Sequence, residues 1–434
     1  MEKLTLFWFR RDLRVEDNHG LYKALSGKNK VLPLFIFDTN ILDKLPKQDA
    51  RVEYILSALG AIDVAMKRNR CNVGKYQGTP KAVFTKLCED LPIEKVICNE
   101  DYEPYALKRD EEIKTLLAKK EIGFETYKDQ VIFAKDEVVK EDGTPYKVYT
   151  PYSKKWLLQF EKLEQPHYPS EEYLAQCSSS SILPDCDLKE LGFDSSPVLQ
   201  PKVIFNDQII DSYESTRNFP ALDHTSRLGT ALRFGTVSVR QIVAKAASRS
   251  NPTFLKELIW REFFMQILWH FPHTKTQSFK PQYDRIEWRN NESEFSKWCA
   301  GETGYPLVDA GMRELNKTGF MHNRVRMLVG SFLCKHLLID WRWGEAYFAE
   351  KLLDYEMSSN VGNWQWVAGC GVDAAPYFRI FNPTEQIKKF DKELKYIKKW
   401  VPNFQELNYP RPIVDHKLAR KRCLKTYKEA LDTL

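Results

Sequence analysis

The sequence predicts two domains, an α/β domain with a parallel sheet at the N-terminal end and a mostly α-helical domain after it. At 434 residues the chain is too long for a single compact core. In residues 1–132, short apolar runs alternate with amphipathic stretches, as in a parallel sheet covered by helices. Residues 133–205 are rich in turn-forming residues and predict a long irregular connection, whereas residues 206–434 show helical periodicity.

The apolar runs locate the strands and helices of the first domain. The predicted strands are residues 4–9, 31–37, 96–98 and 124–127, and the predicted helices are 52–67 and 106–119. No Gly-x-Gly-x-x-Gly motif follows the first strand, so the dinucleotide-binding fingerprint is absent. The charged loop Arg10-Arg11-Asp12-Leu13-Arg14 stands there instead, and it either faces a ligand crevice or is ordinary surface charge.

Composition and charge exclude several classes of protein. The net charge of +6 permits a nucleic-acid partner without requiring one. The nine cysteines are scattered without Cys-x-x-Cys spacing, which indicates free thiols in a reducing compartment and argues against a zinc site. The N-terminus lacks a signal-peptide stretch, and the apolar runs are too short to span a membrane. We therefore expect a cytoplasmic protein without a bound metal.

The second domain combines helical periodicity with many aromatic rings. The predicted helices are residues 253–271, 308–316, 323–338 and 343–355. Nine of the eleven tryptophans lie at or after position 260. Tryptophan is a large apolar ring that is easily oxidised. Their concentration therefore indicates either a bulky aromatic core or a domain built around flat ligands and electron transfer.

Two of these helices place chemically useful side chains on one face. Glu257, Trp260 and Arg261 are spaced at i, i+3 and i+4. They offer a carboxyl group, a ring and a cation to one cavity, or they form a surface ion pair beside a core tryptophan. Asn323 and Met327 lie one turn apart on another helix and form a weaker signal.

Two further segments allow more than one interpretation. On a helix, Trp364 and Trp366 would be about 200° apart, so one ring can face a cavity while the other packs against protein. The run Thr225-Ser226-Arg227-Leu228-Gly229 precedes a helical stretch. Its hydroxyls and backbone N–H groups suit either an anion site or an ordinary N-cap.

Taken together and in order, these motifs resemble the photolyase/cryptochrome family, most closely its class I cyclobutane pyrimidine dimer (CPD) photolyases. The resemblance spans nearly the whole chain and is carried by Leu6-Phe-Trp-Phe-Arg-Arg-Asp-Leu-Arg14, Thr225-Ser-Arg-Leu228, Glu257-Leu-Ile-Trp-Arg-Glu262, Gly304-Tyr-Pro-Leu-Val-Asp309, Met321-His-Asn-Arg324 and Asp373-Ala-Ala-Pro-Tyr-Phe-Arg-Ile-Phe-Asn-Pro383. It implies an N-terminal antenna domain with a parallel five-stranded, Rossmann-like sheet. It also implies an all-α C-terminal domain that binds a folded FAD.

The resemblance implies a set of FAD contacts by position. These are Tyr213, Thr225, Ser226, Leu228, Gly229, Arg261, Arg326, Asp354, Glu356 and Asn360. The run 225–229 would hold the pyrophosphate, and Asn360 would face the central ring nitrogen of the flavin and favour its reduced form. Glu356 departs slightly from the pattern, because relatives carry an aspartate there.

The implied substrate is DNA that carries a CPD. The dimer must leave the duplex, because its reacting bonds are buried in the base stack. Trp260 and Trp366 would pack on the flipped bases, Glu257 would bond a pyrimidine carbonyl, and Asn323 and Met327 would complete the wall of the cavity. The expected phosphate contacts are Arg324 and Arg379.

The implied mechanism is light-driven electron transfer. Blue light excites the fully reduced, anionic FAD, one electron passes to the dimer, the cyclobutane ring splits and the electron returns. Burial would favour a neutral Glu257 that donates to the charged carbonyl. Trp364, Trp341 and Trp288 match the family's electron-transfer chain, with Trp364 as the inner member, and would photoreduce an oxidised cofactor.

The antenna site departs from the pattern of folate-binding relatives. In Asp101-Tyr-Glu-Pro-Tyr-Ala-Leu-Lys108, Tyr105 and Ala106 stand at the expected amide and carboxylate positions. A deazaflavin, a second flavin or no antenna are the alternatives. Phe320, which replaces a tryptophan, is a minor departure.

Other functions agree less well with these residues. Asn323 argues against a (6-4) photolyase, which uses a histidine pair. The main alternative is a cryptochrome, a blue-light photoreceptor without repair activity, but the complete repair set and the short C-terminal stretch argue against it. A third alternative, a flavin oxidoreductase, would turn over with a nicotinamide donor in the dark. We expect a monomeric carbon–carbon lyase.

Overall fold

The computed structural model describes residues 2–164, 166–178 and 183–432. The chain forms two compact units. The first comprises Met1–Ala134, Leu158–Lys202 and Leu228–Ser248, and the second comprises Lys135–Leu157, Val203–Arg227 and Arg249–Leu434. The segment expected as a linker, residues 133–205, therefore contributes to both units. The boundaries of the functional domains stay a prediction.

The first unit contains a parallel sheet of five strands, as expected. The strands are β1 (Leu4–Phe9), β2 (Lys30–Asp38), β3 (Gly74–Gly78), β4 (Ile93–Asn99) and β5 (Gly123–Tyr127). Their order across the sheet is β3-β2-β1-β4-β5, and every pairing is parallel. The apolar runs located four of these strands. They missed β3, because this short edge strand has the sequence Gly74-Lys-Tyr-Gln-Gly78, with a glycine at each end and a lysine inside.

The two faces of the sheet bury different side chains of the same strand. In β1, Phe7 and Phe9 pack into one cluster, while Leu6 and Trp8 pack into another on the opposite face. This alternation follows from the two-residue period of a strand. Both faces are apolar, which explains why β1 reads as a continuous hydrophobic run.

The helices cover the sheet in the first unit and build the second unit. In chain order they are α1 (His19–Leu25), α2 (Thr39–Leu42), α3 (Ala50–Met66), α4 (Pro80–Asp90), α5 (Pro104–Ala118), α6 (Tyr149–Phe160), α7 (Asp207–Thr216), α8 (Leu228–Phe234), α9 (Val239–Ala247), α10 (Thr253–His270), α11 (Glu292–Ala300), α12 (Pro306–Thr318), α13 (Asn323–Ser331), α14 (Trp341–Lys351), α15 (Met357–Ala368), α16 (Pro383–Phe390), α17 (Lys395–Trp400) and α18 (His416–Asp432).

Two helical features differ from the sequence prediction. The expected irregular connection contains α6, and its Pro151 lies in the first turn, where a helix needs no N–H bond from that residue. The predicted helix 323–338 is α13 followed by a π-helical turn, Phe332–Leu337, which ends at Leu338 in the left-handed conformation. Across the part of the chain that the structure describes, none of the helices has the length and apolar character needed to cross a bilayer.

Candidate active site

A cavity with an empty volume of about 620 Å³ opens into the second unit. Helices α13, α14 and α15 and the segment between the last two line it, through Asn323, Arg326, Met327, Gly330, Phe348, Leu352, Asp354, Tyr355, Glu356, Ser359, Asn360, Asn363, Trp364, Trp366 and Val367. The lining therefore combines four residues expected to bind FAD with three expected to contact the dimer.

Asn360 is held in one orientation inside this cavity. It is buried on α15, and its Nδ2 donates to the backbone oxygen and to Oε1 of Glu345, at 3.1 and 3.0 Å. Burial raises the pKa of Glu345 above its ordinary value, and the bond from Asn360 opposes that shift. Both amide protons of Asn360 are thus engaged, and in the described residues no donor reaches its Oδ1. The amide oxygen is available to a ligand N–H group.

The charged lining comes from the start of α15, from α13 and from the segment between α14 and α15. Glu356 is the N-cap of α15, and its carboxylate accepts from the backbone N–H of Ser359 at 3.0 Å. Arg326 donates through Nη1 and Nη2 to the two carboxylate oxygens of Asp354, at 3.2 and 2.9 Å. A paired fork of this kind fixes both side chains and leaves further N–H donors of the guanidinium for a ligand.

Three of the side chains expected at the dimer end come from two helices. Asn323 and Met327 lie on α13 and Trp366 lies on α15, and all three line the cavity. His322 is the N-cap of α13, since its Nδ1 accepts from the backbone N–H of Arg324 at 3.2 Å. This cap sets where α13 begins and therefore where Asn323 stands.

Glu257, Trp260 and Arg261 lie on α10 and are absent from that lining within the described residues. Trp260 stacks on Tyr149 with ring centroids 3.7 Å apart and an interplanar angle of 5°. Glu257 accepts a hydrogen bond from Arg217, and about a third of its side chain is exposed. The burial on which a neutral Glu257 was expected to depend is therefore not found.

Arg217 belongs to a group of three arginines that the sequence did not reveal as a set. We call Arg217, Arg324 and Arg379 the arginine cluster. The pKa of Arg324 is lowered below its ordinary value, first by burial and then by the positive charges of Arg217 and Arg379. Arg217 follows Tyr213 by one helical turn and lies 5.3 Å from the centre of its ring. The one-turn spacing from Tyr213 could have identified Arg217 from the sequence. Many surface arginines have the same spacing from an aromatic residue, so it is not a specific signal.

The remaining residues expected to bind FAD lie in other parts of the chain. Tyr213 is half-buried on α7 and packs against Phe254 at 5.1 Å. Thr225 and Ser226 are half-buried in the segment before α8, whereas Leu228 and Gly229 are the first residues of α8. The first pair belongs to the second unit and the latter pair to the first unit.

The three tryptophans of the expected electron-transfer chain differ in burial. Trp364 and Trp341 are 3% and 1% exposed, while Trp288 is only half-buried and packs edge-on against Tyr427 at 6.0 Å. The ring of Trp364 packs edge-on against Phe348 at 5.0 Å. Trp298, a fully buried ring outside the expected chain, lies 6.1 Å from Trp364.

The residues that depart from the folate-binding pattern lie at the start of α5 in the first unit. The hydroxyl of Tyr105 donates to the carboxylate of Asp38. Burial and this bond raise the pKa of Tyr105 to about 12. Ala106 is buried and offers no polar side chain.

The chain matches two protein-family models, DNA photolyase over residues 5–170 and the FAD binding domain of DNA photolyase over residues 254–408. The deoxyribodipyrimidine photo-lyase of Alkalihalophilus pseudofirmus is 35% identical, and the match covers 98% of each chain. A class III photolyase from Agrobacterium tumefaciens has a similar structure, with a TM-score of 0.87 and 31% identity over 100% of this chain and 98% of that one. An archaeal photolyase from Sulfolobus tokodaii, solved with two FAD molecules, gives a TM-score of 0.84 and 33% identity over 98% of this chain and 100% of that one. The chain belongs to the DNA photolyase family.

Proposed function

We propose that the cavity of the second unit is the catalytic site of a CPD photolyase, an FAD enzyme that uses light to split cyclobutane pyrimidine dimers in DNA. The observation that carries this proposal is the shared lining. Asn323, Met327 and Trp366 line the same cavity as Asn360 and the Arg326–Asp354 pair. A cofactor held by the second set would therefore lie beside a base held by the first.

The residues of the cavity fit FAD. The Oδ1 of Asn360 is an acceptor that suits a ring N–H of reduced flavin, and the guanidinium of Arg326 keeps N–H donors that suit the polar groups of the cofactor. We propose that Arg326, Asp354, Glu356 and Asn360 hold the cofactor from this lining. Tyr213, Thr225, Ser226, Leu228, Gly229 and Arg261 are the further contacts that we propose. The chemistry supplied by the bound, reduced and anionic cofactor is transfer of one electron to the dimer after absorption of blue light.

The protein's own contribution is to bind, orient and shield the dimer. Trp260 and Trp366 present aromatic faces on which flipped pyrimidines can stack. Tyr149 covers one face of Trp260 and Phe263 and Phe264 also pack against this ring, so a base would stack on the part of Trp260 that these three rings leave uncovered. Asn323 supplies amide donors and Met327 an adaptable apolar contact at the same wall.

Glu257 and Arg217 are proposed to act together at the dimer. Their ion pair holds the carboxyl group of Glu257 in place before a lesion enters. The extra electron places negative charge on a pyrimidine carbonyl, and a preorganised donor there stabilises that charge. We propose that Glu257 contacts this carbonyl when the dimer is bound, and that Arg217 is then released towards a phosphate.

The arginine cluster is the proposed site for the DNA backbone near the lesion. An anion would relieve the like charges that lower the pKa of Arg324, and a guanidinium matches a phosphate well. Arg324 and Arg379 are the phosphate contacts that we propose, with Arg217 beside them. Affinity for DNA should fall as salt rises, because each phosphate contact releases counterions.

The tryptophans supply a route by which an oxidised cofactor would be restored. We propose that Trp364, Trp341 and Trp288 carry an electron from the surface inwards. Burial supports Trp288 as the outer member of this chain, since Trp288 is half-exposed and the other two rings are buried. We also propose that the protein is a monomer and that it is cytoplasmic; the nine free cysteines support the second proposal, because a reducing compartment keeps thiols free.

A light-dependent repair assay tests the proposed function. Purified protein loaded with FAD and chemically reduced should restore an oligonucleotide with a single thymine dimer under blue light and leave it unchanged in the dark. A protein that binds FAD and photoreduces it without repairing the dimer would instead be a photoreceptor of the cryptochrome type.

Two substitutions of Glu257 test its role in the same assay. Glu257→Ala should lower the repair yield per absorbed photon, because the charged carbonyl loses its stabilising partner. Glu257→Gln is the matched control, since its amide can still donate a hydrogen bond. An unchanged yield in Glu257→Ala would show that this carboxyl group has no part in the reaction.

A further inference from the structure

A buried ammonium group lies directly behind the segment that carries Arg379. Lys335 is 1% exposed and lies in the π-helical turn Phe332–Leu337. Its Nζ donates to the backbone oxygen of Arg379 at 2.9 Å. In the described part of the chain, no carboxylate lies within ion-pair distance of this ammonium. Burial of an ammonium without a carboxylate costs folding free energy, so stability alone does not account for a lysine here.

The segment that contacts Lys335 is a short turn at Pro376 to Arg379, and hydrogen bonds fix its backbone. The N–H of Arg379 donates to the oxygen of Pro376 at 2.9 Å, and Tyr377 stacks on Tyr427 with centroids 5.7 Å apart. Arg379 itself is exposed. Lys335 thus fixes the backbone oxygen of a residue whose side chain reaches solvent.

We propose that Lys335 is a positioning residue for DNA binding, which holds the backbone of Arg379 so that its guanidinium is presented to a DNA phosphate. The inference rests on the proposed function, because it takes Arg379 as a phosphate contact. Lys335 itself, being buried, does not touch the DNA. Its effect on affinity therefore passes through the turn that contains Arg379.

The protonation of Lys335 can be followed by pH, because the neighbouring titratable groups have pKa values outside the range in which Lys335 titrates. Burial, and to a smaller extent the positive charge of Arg379, lower the pKa of Lys335 to about 8, and the thiols of Cys423, Cys334 and Cys370 also face this ammonium. Burial raises the pKa of Cys370 and Cys423 to about 12 and that of Cys334 well above its usual value. Burial also lowers the pKa of His336 to about 3. Between pH 7 and pH 9, Lys335 is therefore the member of this group that loses a proton.

Loss of this proton should affect DNA binding and folding in opposite directions. The neutral amine donates more weakly to the Arg379 oxygen, so affinity should fall as the pH rises through about 8. Folding lowers the pKa from 10.5, so between about pH 8 and pH 10.5 the unfolded chain binds more protons. The contribution of Lys335 to stability therefore rises over the same range. If Lys335 had only a structural role, DNA affinity and folding stability would not change in opposite directions with pH.

The first test compares Lys335→Met and Lys335→Arg in the full-length, FAD-loaded protein. The dissociation constant for a duplex with one thymine dimer is measured at pH 7, together with the thermal unfolding midpoint. Lys335→Met should weaken binding about tenfold, the usual effect of losing a hydrogen bond from a charged donor, without lowering the midpoint. Lys335→Arg should bind like the parent and lose the fall in affinity between pH 7 and pH 9. Lys86→Met removes an exposed lysine from α4 and should change neither quantity.

The second test places Lys335→Met in an Arg379→Ala background. If Lys335 acts through Arg379, the double variant binds no more weakly than Arg379→Ala alone. Parent-like affinity of Lys335→Met, or effects that multiply fully in the double variant, would overturn the inference. Failure of the proposed function is a different result, in which the parent protein itself shows no preference for the dimer-containing duplex.

Discussion

The indole of Trp260 lies face to face with the phenol ring of Tyr149, with centroids 3.7 Å apart and planes within 5° of parallel. Tyr149 is anchored in turn, because its hydroxyl donates to the backbone oxygen of Lys256 at 2.7 Å. The two rings form one aromatic platform on the second unit. A base that stacks on Trp260 therefore meets a ring that cannot tilt freely.

Loss of this platform should weaken binding of the dimer. Tyr149→Ala removes the ring behind Trp260, and we expect a loss of about 1 kcal/mol in affinity for dimer-containing DNA, the scale of one aromatic pair. Tyr149→Phe keeps the stacking and loses only the bond to Lys256, so it should bind nearly as well as the parent. Fluorescence anisotropy with a labelled duplex measures both. Equal losses in the two variants would assign the effect to the hydroxyl instead.

Replacement of the innermost tryptophan should separate photoreduction from repair. Trp364→Phe keeps an aromatic ring against Phe348 but is much harder to oxidise. We expect illumination with an external reductant to leave the oxidised cofactor unreduced, while chemically reduced enzyme still repairs the dimer. Flavin absorbance and the repair assay report the two activities. Trp298→Phe is the matched control, because that ring also lies next to Trp364. If only the control blocked photoreduction, the electron would travel by way of Trp298.

The close approach of Gly344 to Trp364 predicts a steric cost for a single methyl group. A Cβ atom on Gly344 would lie 2.1 Å from Cη2 of Trp364 and 2.6 Å from Cδ2 of Leu333. We expect Gly344→Ala to lower the free energy of unfolding by about 1–3 kcal/mol, as overpacked core positions do, and to reduce FAD occupancy.

Gly60 offers a matched control for this substitution. It also lies within a helix, α3, and a Cβ atom there would have no neighbour within 4 Å. Gly60→Ala should raise the free energy of unfolding by about 0.5–1 kcal/mol, because alanine loses less backbone freedom. Urea denaturation measures both variants. A stable, fully loaded Gly344→Ala protein would contradict the packing around Trp364.

His322 should make the second unit sensitive to mild acid. Burial lowers its pKa from 6.5 to about 4, helped by the charges of Arg326 and Arg324. The folded state thus favours the neutral ring, whose Nδ1 caps α13. The unfolded chain binds more protons below pH 6.5, so stability is present above that pH and is lost as the pH falls towards 4. At pH 5 the loss should be about 2 kcal/mol.

His322→Asn isolates this effect, because asparagine caps a helix without titrating. The difference between the free energies of unfolding at pH 7 and pH 5 should be smaller in this variant by about 2 kcal/mol. Urea denaturation at the two pH values provides the comparison. The same difference in both proteins would mean that His322 is already protonated in the folded state at pH 5.

Much of the fold could be predicted from local patterns. The apolar run of β1 identified a strand buried on both faces, and helical spacing located α10, α12 and α14 to within a few residues. These patterns are readable because a strand repeats every two residues and a helix every 3.6 residues. Strand β3 and helix α6 were not predicted. A lysine in an edge strand bounded by glycines and a proline in the first turn of a helix do not identify a strand or a helix without the packing of neighbouring elements.

The sequence by itself determined the order of motifs along the chain and, through them, the family. It also placed Asn323 and Met327 on one face of α13, and both residues line the cavity. Only the tertiary structure decided which distant groups meet. Arg217 reaches Glu257 across 40 residues, and Lys335 reaches the backbone of Arg379 across 44. Spacing along the chain encodes which side chains share a face. Contacts between separate elements depend on how those faces pack, and this depends on the shapes of many side chains at once.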